Sequence, residues 1–282
     1  MRVIRAEAMG WCFGVRDALE LARNLPDPGS VAIHGELVHN EAVLTELEDR
    51  GFAMSGEDDR GVPERPTVMV TAHGVSDRER ARLAAAGKKL VDTTCPLVAR
   101  VHRAARTLEA EGRHVVVIGK PGHVEVRGIT EDLGSFDVVP APDAVRTWPA
   151  AKLGVLCQST AAERDVAAIR DAIAAKNPHA DIRFIDTVCQ PTKDRQAALE
   201  ALLDRVEAVV VVGGRNSNNT RRLADRCRER GVPVVHVQGP ADLEPAWFEG
   251  YATVGLTAGT STPDELIDAV ERALKQMPVS VP

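Results

Sequence analysis

Short runs rich in Val and Ile are the feature that most restricts how this 282-residue chain can fold. The runs lie at 2–6, 31–33, 68–71, 89–91, 115–118, 153–156, 182–185, 209–212 and 253–256. Runs this short and this apolar are typical of strands that are buried on both faces of a parallel sheet. Several of them are separated by helical patterns, at 15–24, 98–111, 162–176, 195–206 and 263–276. The alternation predicts an α/β architecture with parallel sheets.

The spacing of these features indicates an internal repeat. The strands VAIH, VVVI and VVVV begin at 31, 115 and 209, and three cysteines at 12, 95 and 189 are 83 and 94 residues apart. Because separate features shift together, we predict three copies of one unit. The predicted fold is three pseudo-symmetric α/β domains with small parallel sheets arranged around a central site. The predicted domains are 13–95, 96–188, and 1–12 plus 189–282, with strand 2–6 completing the third.

Composition narrows the functional classes. The net charge of −6 argues against a general nucleic-acid binder, which normally carries a basic face. No apolar run approaches the roughly 20 residues of a membrane span, and the start lacks the apolar core of a signal peptide. We therefore expect a cytoplasmic protein without nucleic-acid or membrane partners. In a reducing compartment, five cysteines are better explained by ligation or catalysis than by disulfides.

Three of the cysteines share one local context, in which a strand precedes and a helix follows. Cys12, Cys95 and Cys189 would thus lie at helix N-termini, where the backbone dipole favours the thiolate that binds metal. Three converging thiolates leave one metal position open, either in a zinc site completed by water or in a four-iron cluster with one unliganded iron. Local sequence does not decide between them. Cys157 and Cys227 lack this context, and we interpret both as structural.

Polar, glycine-containing loops follow several strands. They are HGELVHN at 34–40, TAHGVS at 71–76, GKPGHVEV at 119–126, CQST at 157–160, GGRNSNNT at 213–220 and TAGTST at 257–262. Backbone N–H groups at helix N-termini bind anions, and Ser, Asn and His side chains can add donors. The loops contain no cluster of Lys or Arg, so a bound phosphate would be held mainly by neutral or histidine donors. Alternatively, Ser76, Thr160 and Thr262 each begin a helix-capping box with a glutamate three residues later.

Three histidines stand out because they lie in these loops: His39, His73 and His123. Glu125 follows His123 by two residues. If this stretch is extended, both side chains point to the same face. Such a pair could move a proton, since a carboxylic acid in a partly dry site can act as a general acid.

Seven motifs together resemble a known family. They are GWCFGV at 10–15, LVHN at 37–40, AHGVS at 72–76, DTTCPLV at 92–98, GKPGHVEV at 119–126, GGRNSNNTRRL at 213–223 and TAGTSTPDE at 257–265. In this order they resemble the 4-hydroxy-3-methylbut-2-enyl diphosphate reductases, which perform the last step of the non-mevalonate isoprenoid pathway. The resemblance extends from about residue 3 to 274.

The resemblance implies a three-domain iron–sulfur oxidoreductase with a 4Fe–4S cluster held by Cys12, Cys95 and Cys189, whose fourth iron is open to the substrate hydroxyl. It further implies diphosphate-binding and pocket-lining residues, namely His39, His73, His123, Ser159, Thr160, Ser217, Asn218, Asn219 and Ser261. Glu125 matches the family's proton donor, with His123 and Ser159 beside it in the catalytic group. The implied products are isopentenyl and dimethylallyl diphosphates, and the implied electron donor is a ferredoxin or flavodoxin.

Several positions depart from the family pattern. Ser159 replaces a threonine but keeps the hydroxyl, Asn218 replaces a serine of some relatives, and Val124 replaces a frequent proline. Residues 190–192 read Gln-Pro-Thr where many relatives have Tyr-Ala-Thr, and Arg16-Asp17 also departs. These departures leave open a paralogous iron–sulfur reductase with a different allylic or diphosphate substrate. The negative charge and the polar loops also permit a non-catalytic sensor that contains a cluster.

Overall fold

The computed structural model describes residues 1–57, 59 and 61–277. The described strands are β1 (Arg2–Arg5), β2 (Val31–His34), β3 (Ala53–Met54), β4 (Thr67–Val70), β5 (Lys89–Asp92), β6 (His114–Ile118), β7 (Phe136–Val139), β8 (Lys152–Cys157), β9 (Asp181–Ile185), β10 (Ala208–Val212), β11 (Val234–Val237) and β12 (Thr253–Ala258). The described α-helices are α1 (Phe13–Arg23), α2 (Glu41–Asp49), α3 (Asp77–Ala85), α4 (Pro96–Ala110), α5 (Val124–Thr130), α6 (Glu163–Lys176), α7 (Gln190–Leu203), α8 (Asn218–Glu229) and α9 (Asp264–Gln276). Within this part of the chain, no helix is both long and apolar enough to cross a membrane.

The strands form three four-stranded sheets with the same connectivity. Their orders are β3-β2-β4-β5, β7-β6-β8-β9 and β11-β10-β12-β1. All of the pairings are parallel. The protein is therefore an α/β protein with three small parallel sheets, as the sequence predicted. Strand β1 pairs with β12, so the N-terminal strand completes the sheet formed by the C-terminal strands.

The nine predicted strands are all present, and the three that the sequence did not reveal occupy the same sheet edge. β3, β7 and β11 each lie beside the first central strand of their sheet. β3 has only two residues, and β7 and β11 are mostly half-buried. An edge strand needs fewer apolar residues than a central strand, which explains why these segments carry no strong hydrophobic signal.

The sheets are buried on both faces by aliphatic side chains, as the scarcity of aromatic residues requires. In the sheet that contains β6, Val116 packs in one cluster with Ile169 of α6, whereas Val115 and Val117 pack on the opposite face with Leu108 of α4. Full burial of each such side chain contributes about 1.5–3 kcal/mol to stability. A Cβ at Gly154 would lie 2.8 Å from Leu108 Cβ, so α4 packs directly on the backbone of β8.

The described chain forms two compact units. One comprises Met1–Val15, His39–Leu44 and the residues from Gln190 to the end of the described region, and it holds the sheet of β1, β10, β11 and β12. The other comprises Arg16–Val38 and Thr45–Cys189 and holds the other two sheets. The three domain boundaries given above remain a prediction.

Candidate functional site

Each of the three predicted ligand cysteines has the same structural setting. Cys12, Cys95 and Cys189 follow the edge strands β1, β5 and β9, and each directly precedes a helix. Each cysteine N–H donates to a carbonyl in the loop after the adjacent strand. The acceptors are Thr260 O for Cys12 (3.2 Å), Ala72 O for Cys95 (3.1 Å) and Ser159 O for Cys189 (2.9 Å). The three cysteines thus occupy equivalent positions in the three copies of the repeat.

The surroundings of the five thiols fall into two classes. Cys12, Cys95 and Cys189 are half-buried, whereas Cys157 and Cys227 are fully buried in apolar clusters. Burial raises the pKa of the Cys227 thiol to about 12, so this thiol stays protonated and is a poor metal ligand. The three half-buried thiols lie at helix starts and offer soft sulfur donors, which fits iron–sulfur or zinc ligation.

The predicted proton-transfer group lies in the unit that comprises Arg16–Val38 and Thr45–Cys189. His123 is the N-cap of α5, and its Nδ1 accepts a hydrogen bond from the Glu125 N–H at 3.2 Å. An acceptor at Nδ1 of a neutral ring places the ring proton on Nε2. The stretch from His123 to Glu125 is therefore not extended, although the shared face of the two side chains was predicted for an extended stretch. The cap begins a helix at Val124, so Glu125 lies in the first turn of α5.

Glu125 is held by Ser159. The carboxyl group is 1% exposed, its Oε1 accepts the Ser159 N–H at 2.6 Å, and its Oε2 lies 2.9 Å from Ser159 Oγ. The Ser159 carbonyl in turn accepts the Cys189 N–H. One residue therefore fixes both the proposed proton donor and one proposed metal ligand.

His73 lies on the β4–α3 loop beside the same group. Its ring centroid is 5.9 Å from that of His123, with the rings nearly perpendicular. The loop that carries His73 also supplies Ala72 O to Cys95. In this unit the structure thus brings together His73 and His123, and separately Glu125 and Ser159.

A buried histidine packs against the β4–α3 loop and against α5. The ring of His102 on α4 packs against Gly74 and Gly128, where a Cβ would lie 3.4 Å from its ring atoms. Gly74 also has a φ of 70°, a conformation that favours glycine. Burial, with a contribution from the Arg106 guanidinium, lowers the pKa of His102 to about 4. The ring is therefore neutral at pH 7.

Most of the remaining predicted residues lie in the unit that holds the sheet of β1, β10, β11 and β12, whereas Thr160 lies in the other unit. Ser217 is the N-cap of α8, and Asn218 and Asn219 form its first turn, where backbone N–H groups can bind an anion. The Asn219 Oδ1 accepts the Thr260 N–H at 3.0 Å, and Ser261 Oγ lies 3.1 Å from His39 O. Because its Oδ1 is engaged by a donor, Asn219 presents its NH₂ group as the available donor.

Thr260 contacts two of the predicted site residues through its backbone, and the sequence did not single it out. Its N–H donates to Asn219 and its carbonyl accepts the Cys12 N–H, so its two peptide groups connect a predicted substrate residue with a predicted metal ligand. The only indication in the sequence is that Thr260 lies in the polar loop TAGTST. The residue predicted from that loop is Ser261, through its side chain, whereas the contacts of Thr260 are made by its backbone.

Two of the three predicted capping boxes are wrong. Ser76 caps α3 by accepting the Glu79 N–H at 3.0 Å, as predicted. The N-cap of α6 is Ala162 rather than Thr160, and neither α6 nor α9 has a side-chain cap. The hydroxyl of Thr262 instead donates to Val212 O at 3.0 Å. Extra loop residues place both helix starts after the threonines.

The chain is similar to members of one protein family over nearly its whole length. The LytB protein family model matches residues 3–275. A 4-hydroxy-3-methylbut-2-enyl diphosphate reductase from Anaeromyxobacter sp. is 38% identical over 276 residues, which cover 96% of this chain and 95% of that protein. A reductase of the same name from Mycobacterium tuberculosis is 36% identical, over 97% of this chain and 86% of its own.

Two solved structures are also similar. The E-1-hydroxy-2-methyl-but-2-enyl-4-diphosphate reductase from Plasmodium falciparum has a TM-score of 0.89 at 27% identity, over 98% of this chain and 89% of its own. An (E)-4-hydroxy-3-methyl-but-2-enyl diphosphate reductase, described as the terminal enzyme of the non-mevalonate pathway, has a TM-score of 0.66 at 32% identity, over 98% of this chain and 100% of its own. The family match, the full-length identities and the shared fold show that this chain belongs to the LytB family.

Proposed function

We propose that this chain reduces 4-hydroxy-3-methylbut-2-enyl diphosphate to isopentenyl and dimethylallyl diphosphates. The single observation that carries the proposal is Ser159, which binds the Glu125 carboxylate while its carbonyl holds the peptide of Cys189. A dehydroxylation of this kind consumes two electrons and two protons and releases water. It therefore needs an electron-carrying centre and a proton donor at a fixed distance from each other. Ser159 contacts both Glu125 and the peptide of Cys189 and so fixes their relative position.

We propose that Cys12, Cys95 and Cys189 hold a 4Fe–4S cluster. Three thiolates leave one iron without a protein ligand, which suits an enzyme better than a closed structural site. When bound, the cluster would pass two electrons from the electron donor, one at a time, and would offer a Lewis acid to the allylic hydroxyl. The equivalent backbone hydrogen bonds of the three cysteines support this assignment, because each cysteine is held at the same position relative to its neighbouring strand.

We propose that neutral donors bind the diphosphate. One unit offers the N-terminus of α8, the Asn219 NH₂ group and the Ser217 hydroxyl. The Ser261 hydroxyl donates to His39 O in the structure and would turn from it to the diphosphate. The remaining proposed contacts are those of His39, His73, His123, Thr160 and Asn218. Hydrogen bonds to a charged group contribute about 1.5–3 kcal/mol each, so a set of neutral donors suffices for tight binding without a lysine cluster.

We propose that Glu125 delivers the proton that leaves with the hydroxyl oxygen as water. Glu125 is almost fully buried and Ser159 holds both of its carboxyl oxygens, so the group has the fixed, water-poor setting that suits proton transfer. His123 caps the helix that carries Glu125, with its ring proton on Nε2, where it can donate to substrate or to a relay. Reduced ferredoxin or flavodoxin is the proposed electron source, and the cytoplasm is the proposed compartment.

The test is anaerobic turnover of 4-hydroxy-3-methylbut-2-enyl diphosphate with a strong one-electron reductant, with the C5 products separated by chromatography. The wild-type protein should form isopentenyl and dimethylallyl diphosphates, and Glu125→Gln should retain the cluster and substrate binding but lose turnover. A wild-type protein that holds an intact cluster and forms neither product would overturn the proposed substrate. The same assay distinguishes the reductase from a paralogue with another substrate and from a sensor.

A further inference from the structure

Arg195 is a buried cation with an unusual set of partners. It lies on α7, six residues after Cys189, and is 6% exposed. Its Nε and Nη2 donate to Gly10 O at 3.0 and 2.6 Å, its Nη2 donates to Trp11 O at 3.0 Å, and its Nη1 donates to Pro191 O at 2.8 Å. Three of these four contacts are made with the segment that immediately precedes Cys12.

The contacts fix the peptide groups on which the position of Cys12 depends. The Trp11 carbonyl belongs to the peptide bond that joins Trp11 to Cys12. The segment is also held by hydrogen bonds from the Gly10 N–H to Ala258 O at 3.2 Å and from the Cys12 N–H to Thr260 O at 3.2 Å. Arg195, the end of β12 and the loop that follows it therefore together fix residues 10–12.

The backbone at this point leaves little room for an alternative path. Gly10 has a φ of 71°, and a Cβ there would lie 2.7 Å from Ile267 Cδ1. Such a conformation is accessible mainly to glycine. The planar fork of an arginine can serve several carbonyl oxygens in fixed geometry, whereas a lysine ammonium is a single point charge on a flexible stem.

We propose that Arg195 is a positioning residue for Cys12, one that holds the ligand's preceding peptides in place and sets a permanent positive charge beside this ligand. The inference rests on the proposed cluster. A fixed positive charge close to an iron–sulfur cluster stabilises its more negative, reduced form and so raises the reduction potential. Arg195 thus has two separable effects, retention of the cluster through geometry and tuning of its potential through charge.

The experiment compares the anaerobically reconstituted full chain with Arg195→Gln, Arg195→Lys and a control, Arg228→Gln. Arg228 is an exposed arginine that pairs with Asp225 on the same helix. The readouts are the rate of iron loss to a chelator and the midpoint potential from a spectroscopic redox titration, with thermal unfolding as the check on folding. Arg195→Gln should lose iron about 10-fold faster, as expected for a residue that supports a metal ligand, and its midpoint should become more negative.

The lysine variant separates the two effects. Arg195→Lys should lose iron faster than wild type but keep a wild-type potential, and Arg228→Gln should change neither. An Arg195→Gln protein with wild-type iron retention and potential overturns the inference. If Arg195→Gln does not fold, wild-type iron retention in Arg195→Lys overturns it, and faster loss supports it. A wild-type chain that takes up no iron overturns the proposed cofactor and the inference with it, whereas an iron-loaded wild type matched by its variants overturns the inference alone.

Discussion

The N–H of Ser159 donates to Glu125 Oε1 at 2.6 Å while the Ser159 hydroxyl lies 2.9 Å from Oε2 of the same carboxyl group. The contact exists because β6 and β8 are neighbours in register, with Ile118 opposite Cys157. The loops that follow these residues leave the sheet at one edge and bring the two side chains together. Two donors thereby orient a carboxyl group that is otherwise surrounded by protein.

Replacing Ser159 by alanine should reduce kcat with little change in KM. The variant keeps the backbone N–H but loses the hydroxyl contact, and the loss of a hydrogen bond to a carboxylate costs about 1.5 kcal/mol, or about 10-fold in rate. Ser159→Thr keeps the hydroxyl and should stay within about twofold of wild type by the same reasoning. Steady-state kinetics under anaerobic conditions measure both. Equal kcat values for the alanine variant and wild type would remove Ser159 from the proton path.

Replacing Asn219 by aspartate should raise KM. An aspartate still accepts the Thr260 N–H, so the loop should remain intact, but it replaces the NH₂ donor by a negative oxygen. Loss of a hydrogen bond to a diphosphate costs about 1.5–3 kcal/mol, or about 10- to 100-fold in KM. Asn216→Asp is the matched control, because it adds the same charge at an exposed position just before the helix that carries Asn219. If both variants raise KM equally, the effect is one of charge and not of a contact made by Asn219.

The buried His102 should make stability depend on pH. Its pKa is about 4 in the folded chain, against 6.5 for an unperturbed histidine. Below pH 6.5, His102 is therefore protonated in the unfolded chain, whereas in the folded chain it is protonated only below about pH 4. The full stability is present above pH 6.5 and declines as the pH falls toward 4, by about 1–2 kcal/mol between pH 7 and 5.

Urea unfolding at pH 7 and pH 5 measures this dependence. His102→Gln should lack this component of the pH dependence, although it is less stable overall because it disturbs the packing on Gly74 and Gly128. His236→Gln serves as the control histidine. A His102→Gln variant with the wild-type difference between the two pH values would assign the dependence to other groups.

The repeat in the sequence predicted much of the fold because it rests on strands buried on both faces. Central strands such as β6 and β10 require continuous Val and Ile, so their positions can be predicted from the sequence. The position of the edge strand β7 could not be predicted, because this strand is mostly half-buried and carries Asp137. Burial alone tends to raise the pKa of this carboxyl, but Arg146, Trp148 and His114 bind it and bring the pKa below its usual value. A polar network of this kind leaves no periodic signal.

The site was predictable only in part, for a different physical reason. Strand ends identified the loops of Glu125, Ser159 and Asn219, since ligand-binding residues gather at the carboxyl ends of parallel strands. Which loops touch depends on strand order, which the local sequence does not contain. Backbone acceptors such as Thr260 O are equally hidden, because any residue type can provide a carbonyl.

The most direct test of the central claim, that three equivalent thiols hold one cluster, is the iron and acid-labile sulfide content of the anaerobically prepared protein and its cysteine variants. Wild type should contain about four of each per chain. Single serine replacements of Cys12, Cys95 and Cys189 should each lose most of both, and alanine replacements of the buried Cys157 and Cys227 should not, apart from any loss of stability. A wild-type content near one metal per chain, or a full complement of iron after the removal of any of the three, would contradict the account.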